Sequence, residues 1–307
     1  MGREHLEGLV TLALGEARQL GIDQAEASAS HDTGLVATAR LGDVENLEYT
    51  NDRGIGITVY KDFRKGSAST SDISPEAVRE AVAKACTFAE VTARDQYSGL
   101  ADADLMCTDI RDLNLDHPWA IDAGDAIELA IEAEAAALKF DKRISNSEGA
   151  TVSTNRGSRA YGNSHGFLGS MSRTSHSITC VVLAESDGVM QRDYYYTSSR
   201  DPDDLSEPAS VGHTAAQRVI NRLGARKMET TRAPVLYVPE LARGFIAHAI
   251  SAIAGGAQYR RSSFLLDAAG EKIFPDFVNI DERPHLEKAM ASAPYDAEGV
   301  ATYDRDI

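Results

Sequence analysis

The sequence predicts an α+β fold, helices packed on antiparallel sheet, from the N-terminus to about residue 226. Two observations carry this reading. Residues 25–71 and 144–199 alternate polar and apolar side chains between short turn signals, as in antiparallel sheet wet on one side. Both blocks are flanked by segments whose apolar residues recur every three or four positions, as helices do. The order helix, β block, helix, helix, β block, helix suggests two similar halves, without a sequence repeat to mark them.

The first helix has Leu6, Leu9, Val10, Ala13, Leu14 and Ala17 on one face and ends at Gly21. Glu4, Glu7, Glu16 and Arg18 interrupt it, so it is not a signal peptide. Ala25–Ser30 and Leu35–Leu41 are expected to form a hairpin around His31-Asp32-Thr33-Gly34. A second turn is expected at Asn51-Asp52-Arg53-Gly54, between Val44–Thr50 and Ile55–Tyr60. Lys61–Lys65 turns again into a short strand, Gly66–Ser71. Ser74-Pro75 then starts a helix with a capping hydroxyl and a first-turn proline. Residues 92–117 are Asp-rich and aperiodic, a long connection. Ile121–Phe140 is rich in Ala, Leu and Glu and predicts a helix. In the second β block, turns are expected at Asn146–Gly149, Asn155–Gly157, Asn163–Gly166 and Asp187-Gly188. Pro208–Leu223 is a helix closed by Gly224.

Beyond residue 226 the sequence is organised around Pro234–Asp267. Val235–Val238 reads as a buried strand, and Pro239–Gly255 as a buried helix with Leu241, Phe245, Ile246, Ala249, Ile250 and Ile253 on one stripe. Gly255-Gly256 stops that helix before a basic turn, Tyr259-Arg260-Arg261.

The 307 residues carry 31 Lys and Arg against 47 Asp and Glu, a formal charge of −16. That sign repels phosphate backbones, so general nucleic-acid binding is not expected. No run of eighteen apolar residues predicts a membrane span. Cys86, Cys107 and Cys180 are widely spaced and odd in number, which suggests reduced thiols and a cytoplasmic protein.

Chemistry is sparse. None of the eight histidines precedes a glutamate, and no two lie within one helical turn, so the zinc-hydrolase pattern is missing. His248 is the best single candidate for a catalytic imidazole, although a packed or surface helical histidine is the simpler reading. Asn163-Ser164-His165-Gly166 reads as a turn, because adjacent strand residues point to opposite faces. Tyr259, Arg260 and Arg261 are the substrate-binding candidates, since guanidinium forks match a carboxylate or peptide terminus. Their simpler reading is a solvated turn with one ion pair.

Several long blocks resemble the PmbA/TldD proteins, bacterial and archaeal, once described as modulators of DNA gyrase. They are residues 45–78 (ENLEYTNDRGIGITVYKDFRKGSASTSDISPEAV), 141–157 (DKRISNSEGATVSTNRG), 161–167 (YGNSHGF) and 252–300. The resemblance is to the PmbA branch, also called TldE. It implies a heterodimeric metalloprotease that trims unfolded and leader peptides, with zinc held by the TldD subunit through an HExxxH helix and a distal cysteine. With Arg260-Arg261 as anchor, the three motif positions fall at Ala247, His248 and Ala252, so no zinc is expected in this chain. A one-residue shift puts His248 on the first histidine but Ala249 and Ile253 on the others.

The resemblance further implies a TldD-type partner or a homodimer, a peptide substrate, and a second domain over 227–307 that begins a β-barrel-like C-terminal fold. The family chain continues beyond this point, so a C-terminally truncated form is expected. Two alternatives stay open. One is a self-sufficient metallopeptidase homodimer using His248 with His213 or His285. The other is a non-enzymatic modulator of DNA gyrase or of a toxin–antitoxin system.

Overall fold

The computed structural model describes residues 2–307. The α+β class is borne out, and the chain divides into two compact units. Unit 1 comprises residues up to Gly224 together with Glu282–Arg305, and unit 2 comprises Ala225–Asp281 with Asp306–Ile307. Residues 282–305, grouped with the second domain in sequence, therefore pack with the first unit.

Unit 1 runs helix, three strands, helix, twice over. The first half is α1 (Arg3–Gln19), β1 (Gln24–Arg40), β2 (Asp43–Lys61), β3 (Arg64–Thr70) and α2 (Pro75–Val91). The second is α3 (Ala123–Phe140), β4 (Ile144–Asn163), β5 (Leu168–Ser186), β6 (Val189–Ser199) and α4 (Pro208–Arg222). All six strands form one antiparallel sheet in the order β3-β2-β1-β4-β5-β6. The halves thus meet at the central β1–β4 pair.

The strands are longer than the sequence suggested, because three expected turns are not turns. β1 passes straight through His31–Gly34, β2 through Asn51–Gly54 and β4 through Asn155–Gly157. The real reversals are two-residue turns at Leu41-Gly42, Asp62-Phe63 and Asp187-Gly188, each with positive φ at both positions. Such turns match the twist of the strands they join. Asn146–Gly149 is also not a turn: it forms register shifts within the β4–β5 ladder, with Gly149 at φ 98. The Lys61–Lys65, Asn163–Gly166 and Asp187-Gly188 signals do mark hairpins.

The four long helices of unit 1 cover one face of the sheet as two separate cores. Ala25, Ala27 and Ala29 of β1 join Ile55, Ile57 and Val59 of β2 under α1 and α2. Leu35, Ala37 and Ala39 of the same β1 face join Val152, Ile178, Cys180 and Val182 under α3 and α4. Successive odd residues of one strand share a face, so a single side of β1 serves both cores.

Small residues let backbones touch. A Cβ on Gly212 of α4 would lie 1.9 Å from the Ala133 carbonyl of α3, and one on Gly66 of β3 would lie 2.0 Å from the Ala85 carbonyl of α2. The facing stripe of α3, Ala126, Ala130, Ala133 and Ala137, is fully buried. Glu134, beside it and 1% exposed, accepts hydrogen bonds from Leu41 N (2.8 Å) and Gly42 N (3.0 Å). The β1–β2 turn is thereby tied to the second half of the unit.

Unit 2 contains α5 (Pro239–Ile253) and α6 (Gly255–Tyr259). The helix from Pro239 is present, but it is not buried: Leu241 is 64% and Phe245 53% exposed, and Ala252 is its one buried residue. The expected strand Val235–Val238 is not formed. Val238 is extended (φ −65, ψ 152), yet Pro234 and Pro239 withhold two N–H donors, and no strand pairs with this stretch among the described residues. The helix stops at Ala254 rather than at Gly255-Gly256, which open α6.

Gly212→Ala is expected to force α4 off α3 and to destabilise unit 1 by about 1–3 kcal/mol. Urea denaturation of the variant checks this, and an unchanged midpoint would contradict the packing described.

Candidate functional site

The three stretches that looked like turns lie side by side. His31 pairs with Arg53 of β2 and Ser158 of β4, and Thr33 pairs with Asn51 and Arg156. In β5, Ser172 stands opposite Ser158 and Thr174 opposite Arg156. Cross-strand partners share a face, so these residues form a polar belt across the helical face, between the two apolar cores. Turn-forming residue types here are the solvated middle of long strands.

A cavity of about 970 Å³ opens over this belt. Its floor is His31 and Thr33, Arg156 and Ser158, and Ser170 and Ser172; its walls are the start of α1 at Arg3 and the connection 110–116. Within it, Arg156 grips Asp116 through two parallel hydrogen bonds, Nε to Oδ1 at 2.9 Å and Nη2 to Oδ2 at 2.7 Å. That contact raises the Arg156 pKa above its ordinary value and fixes the guanidinium over the floor. Ser158 and Ser172 hydroxyls pair at 2.8 Å, and His31 Nε2 lies 2.9 Å from Asn51 Oδ1. Arg111 Nη1 approaches His285 Nδ1 at 3.3 Å.

One side of the cavity is built by two segments that cover the β5 edge where β6 leaves it. Thr174 N donates to Leu115 O at 2.9 Å, and Lys288 N to Leu113 O at 3.0 Å. Arg200, 2% exposed, spends its guanidinium on backbone carbonyls: Ala289 O (3.0 Å), Met290 O (2.7 Å) and Thr174 O (2.9 Å). Asp201 joins Lys288 at 2.6 Å and His117 Nδ1 at 3.2 Å, and the Lys288 hydrogen bond holds its carboxyl below the usual range.

His176, 1% exposed, lies beneath the same edge. Its Nε2 faces the His117 carbonyl at 2.9 Å and its Nδ1 faces Thr154 Oγ1 at 2.8 Å. A carbonyl only accepts, so Nε2 carries the proton and the ring is satisfied while neutral. Burial lowers its pKa. Its role is structural.

The candidates read from the sequence lie in unit 2. Ala247 and His248 are exposed on α5, and Ala252 is 5% exposed. The Ala252 carbonyl accepts from Gln258 Nε2 and Ser263 Oγ, both at 2.7 Å, which closes the helix end. Tyr259, Arg260 and Arg261 are all exposed. Arg260 folds back over Gly256, and Arg261, at φ 52, reaches Asp267 at 3.8 Å, a solvated pair of little energetic weight. The structure therefore does not converge Arg260 and Arg261 on one point. His213 and His285, the alternative companions of His248, have local partners: His213 lies against Phe140 and His285 bonds Thr302 at 3.0 Å. Among the described residues, no three of His, Cys, Asp and Glu are grouped to hold a metal ion. Likewise, no helix among them is long and apolar enough to cross a membrane.

Comparison with known proteins places this geometry. Residues 25–89 match the model of PmbA/TldA metallopeptidase domain 1, residues 116–223 the central domain and residues 230–307 the C-terminal domain. The chain is 46% identical over 305 residues to Metalloprotease PmbA of Escherichia coli O157:H7, covering 99% of this chain and 68% of that protein. It is 44% identical to the Metalloprotease PmbA homolog of Haemophilus influenzae, covering 99% and 67%. Among solved structures, a candidate modulator of DNA gyrase from Bacteroides thetaiotaomicron superposes with a TM-score of 0.89 at 26% identity, over 97% of this chain and 68% of that one. TldE from Thermococcus kodakarensis shares the fold (TM-score 0.76, 17% identity, 98% and 67%).

The lowered pKa of His176 has a measurable consequence. The unfolded ring takes up a proton near pH 6.5 and the folded one only below that. Stability from this group is complete above about pH 6.5 and is lost as pH falls through the lower folded value. Urea midpoints between pH 7.5 and 5 are expected to fall more steeply for the parent chain than for His176→Gln. Equal slopes would contradict the assignment.

Proposed function

The chain belongs to the PmbA/TldD metallopeptidase family, and from that premise we propose that it is the PmbA/TldE-type, zinc-free subunit of a TldD/TldE peptidase in the cytoplasm. The observation that carries the reading is α5. On the TldD pattern the metal and base positions fall at Ala247, His248 and Ala252, and two alanine methyl groups offer a metal nothing. With no ligand set to fit zinc, no hydrolytic step is derived through this chain. Its part is to complete the assembly and help enclose an unfolded or leader peptide, while the TldD-type partner holds zinc and activates water. The exposed apolar stripe of α5 is consistent with a surface that a partner covers.

Purified alone, the chain is expected to carry no stoichiometric zinc and to leave an unfolded peptide uncut. Co-expressed with a TldD-type subunit, it is expected to co-purify with it and to yield chelator-sensitive cleavage. Tightly held zinc with cleavage by the isolated chain would overturn the reading, and loss of that cleavage in His248→Ala would support the homodimer instead. The description of the Bacteroides relative favours a second reading, a protein-binding modulator of gyrase. Recovery of gyrase rather than a TldD homologue in the same pull-down would support it.

A further inference from the structure

β3 pairs with only the last part of β2, from Ile55 to Lys61. Before it, the outward N–H and C=O groups of β2 have no backbone partner among the described residues. A register shift opposite Thr38-Ala39 bends the strand at Glu45, so the regular part of this bare edge is Asn46–Arg53. The corresponding edge in the second half is covered. β6 pairs with β5 from His176 onward, and along the preceding stretch lies an extended segment, with Thr174 N donating to Leu115 O at 2.9 Å. The bare edge has two unlike faces. Leu47 and Tyr49, 43% and 67% exposed, stand in register with Ala37 and Leu35 and carry the face of the second core out into solvent. Glu48 and Asp52 lie on the opposite face, where Asp52 is directly across from Asp32 of β1. Among the described residues, none of these three carboxylates is ion-paired.

We propose that Asn46–Arg53 of β2 is a docking edge for an extended segment of a partner protein, one in which apolar side chains alternate with lysine or arginine. A chain laid along the edge meets its outward N–H and C=O groups by β-addition, as the segment at Leu115 meets β5. The side chains of such a segment alternate between the two faces, as those of β2 do. On one face they meet Leu47 and Tyr49, which favours apolar residues. On the other they meet Glu48 and Asp52, which favours cations. Opposite charges on paired strands attract and like charges directly opposite repel, so a cation here also offsets the Asp32–Asp52 pairing. A second copy of the same edge is a poorer occupant, because it adds a second set of carboxylates to that face. The geometry and charge of the edge carry this assignment, independently of the peptidase-subunit reading.

Isothermal titration of the purified chain with a capped peptide of alternating lysine and valine tests this. That peptide is expected to bind at least about ten-fold more tightly than a block peptide of the same composition, its glutamate–valine counterpart, or the alternating peptide N-methylated along its backbone. Hydrogen exchange is expected to slow at amides of Asn46–Arg53 and at no other sheet edge. In the double variant Glu48→Lys, Asp52→Lys the preference is expected to reverse, toward the glutamate–valine peptide. Glu80→Lys with Glu128→Lys, at exposed positions of α2 and α3, is expected to bind as the parent does. Thermal melts establish that each variant is folded. Equal affinity for the alternating and block peptides would reduce the contact to non-specific charge and overturn the proposal. So would no binding at millimolar concentration, undiminished binding of the N-methylated peptide, protection confined to another surface, or an unreversed preference in the folded double variant. A dimer of the free chain that protects the same amides would overturn it in favour of a second copy. The titration reads no cleavage and needs no zinc-bearing partner, so its failure is distinct from failure of the peptidase-subunit reading.

Discussion

The structure of unit 1 depends on the antiparallel register of β1 with β4. It runs unbroken from Glu26 opposite Asn163 to Ala39 opposite Ala150. A shift of one residue would turn every side chain of one strand to the other face. Ala27, Ala29, Ala37 and Ala39 would leave the helices, and Glu26 would enter the core. Both halves are aligned by this one ladder, and each hangs its outer strands and helices from it. The carboxylate of Glu26 marks the opposite face, where it accepts the hydroxyls of Tyr60 (2.9 Å) and Tyr161 (2.8 Å), one from each half. Burial and that carboxylate raise both phenol pKa values, so the pair stays protonated and donating.

The same register brings the belt together. A strand that spans two cores has a middle that neither helix pair covers, and side chains there must tolerate water or pair with one another. Here they do both. Ser158 and Ser172 satisfy each other, Arg156 satisfies Asp116, and His176 is closed off by Thr154 and the His117 carbonyl. Among the described residues, no buried side-chain nitrogen or oxygen lacks a hydrogen-bond partner. An unpaired group would cost about 1–3 kcal/mol, so the belt is tolerated because its polar groups are met.

Helices were legible in the sequence because their signals are local. The Ser74 cap, the first-turn prolines of α2, α4 and α5, and the Ala-Leu-Glu run of α3 each act within one or two turns. Strand length was not legible. Asn51-Asp52-Arg53-Gly54 is a good turn by composition, and its pairing with Ser30–Thr33 of β1 keeps it extended. Cross-strand pairing overrides local preference, and pairing is a property of distant residues. The same blindness hid the cavity, whose residues come from β1, β4, β5 and the start of α1. In unit 2, periodicity located α5 but could not report whether anything covers its stripe.

The reach of the central ladder has a consequence in time. Ser28 of β1 receives a hydrogen bond from Arg159 of β4, 131 positions later in the chain. As the chain is synthesised from its N-terminus, the first half emerges with α1, α2 and three strands while the inner edge of β1 still lacks its neighbour. For that interval a strand of 17 residues presents a row of unpaired N–H and C=O groups, the kind of edge on which chains aggregate. The hydroxyl and charged residues that punctuate β1 at His31, Asp32 and Thr33 break its apolar run at the midpoint. A feature that shapes the finished surface thus also shields the unfinished chain, and the ribosome sets how long that protection is needed.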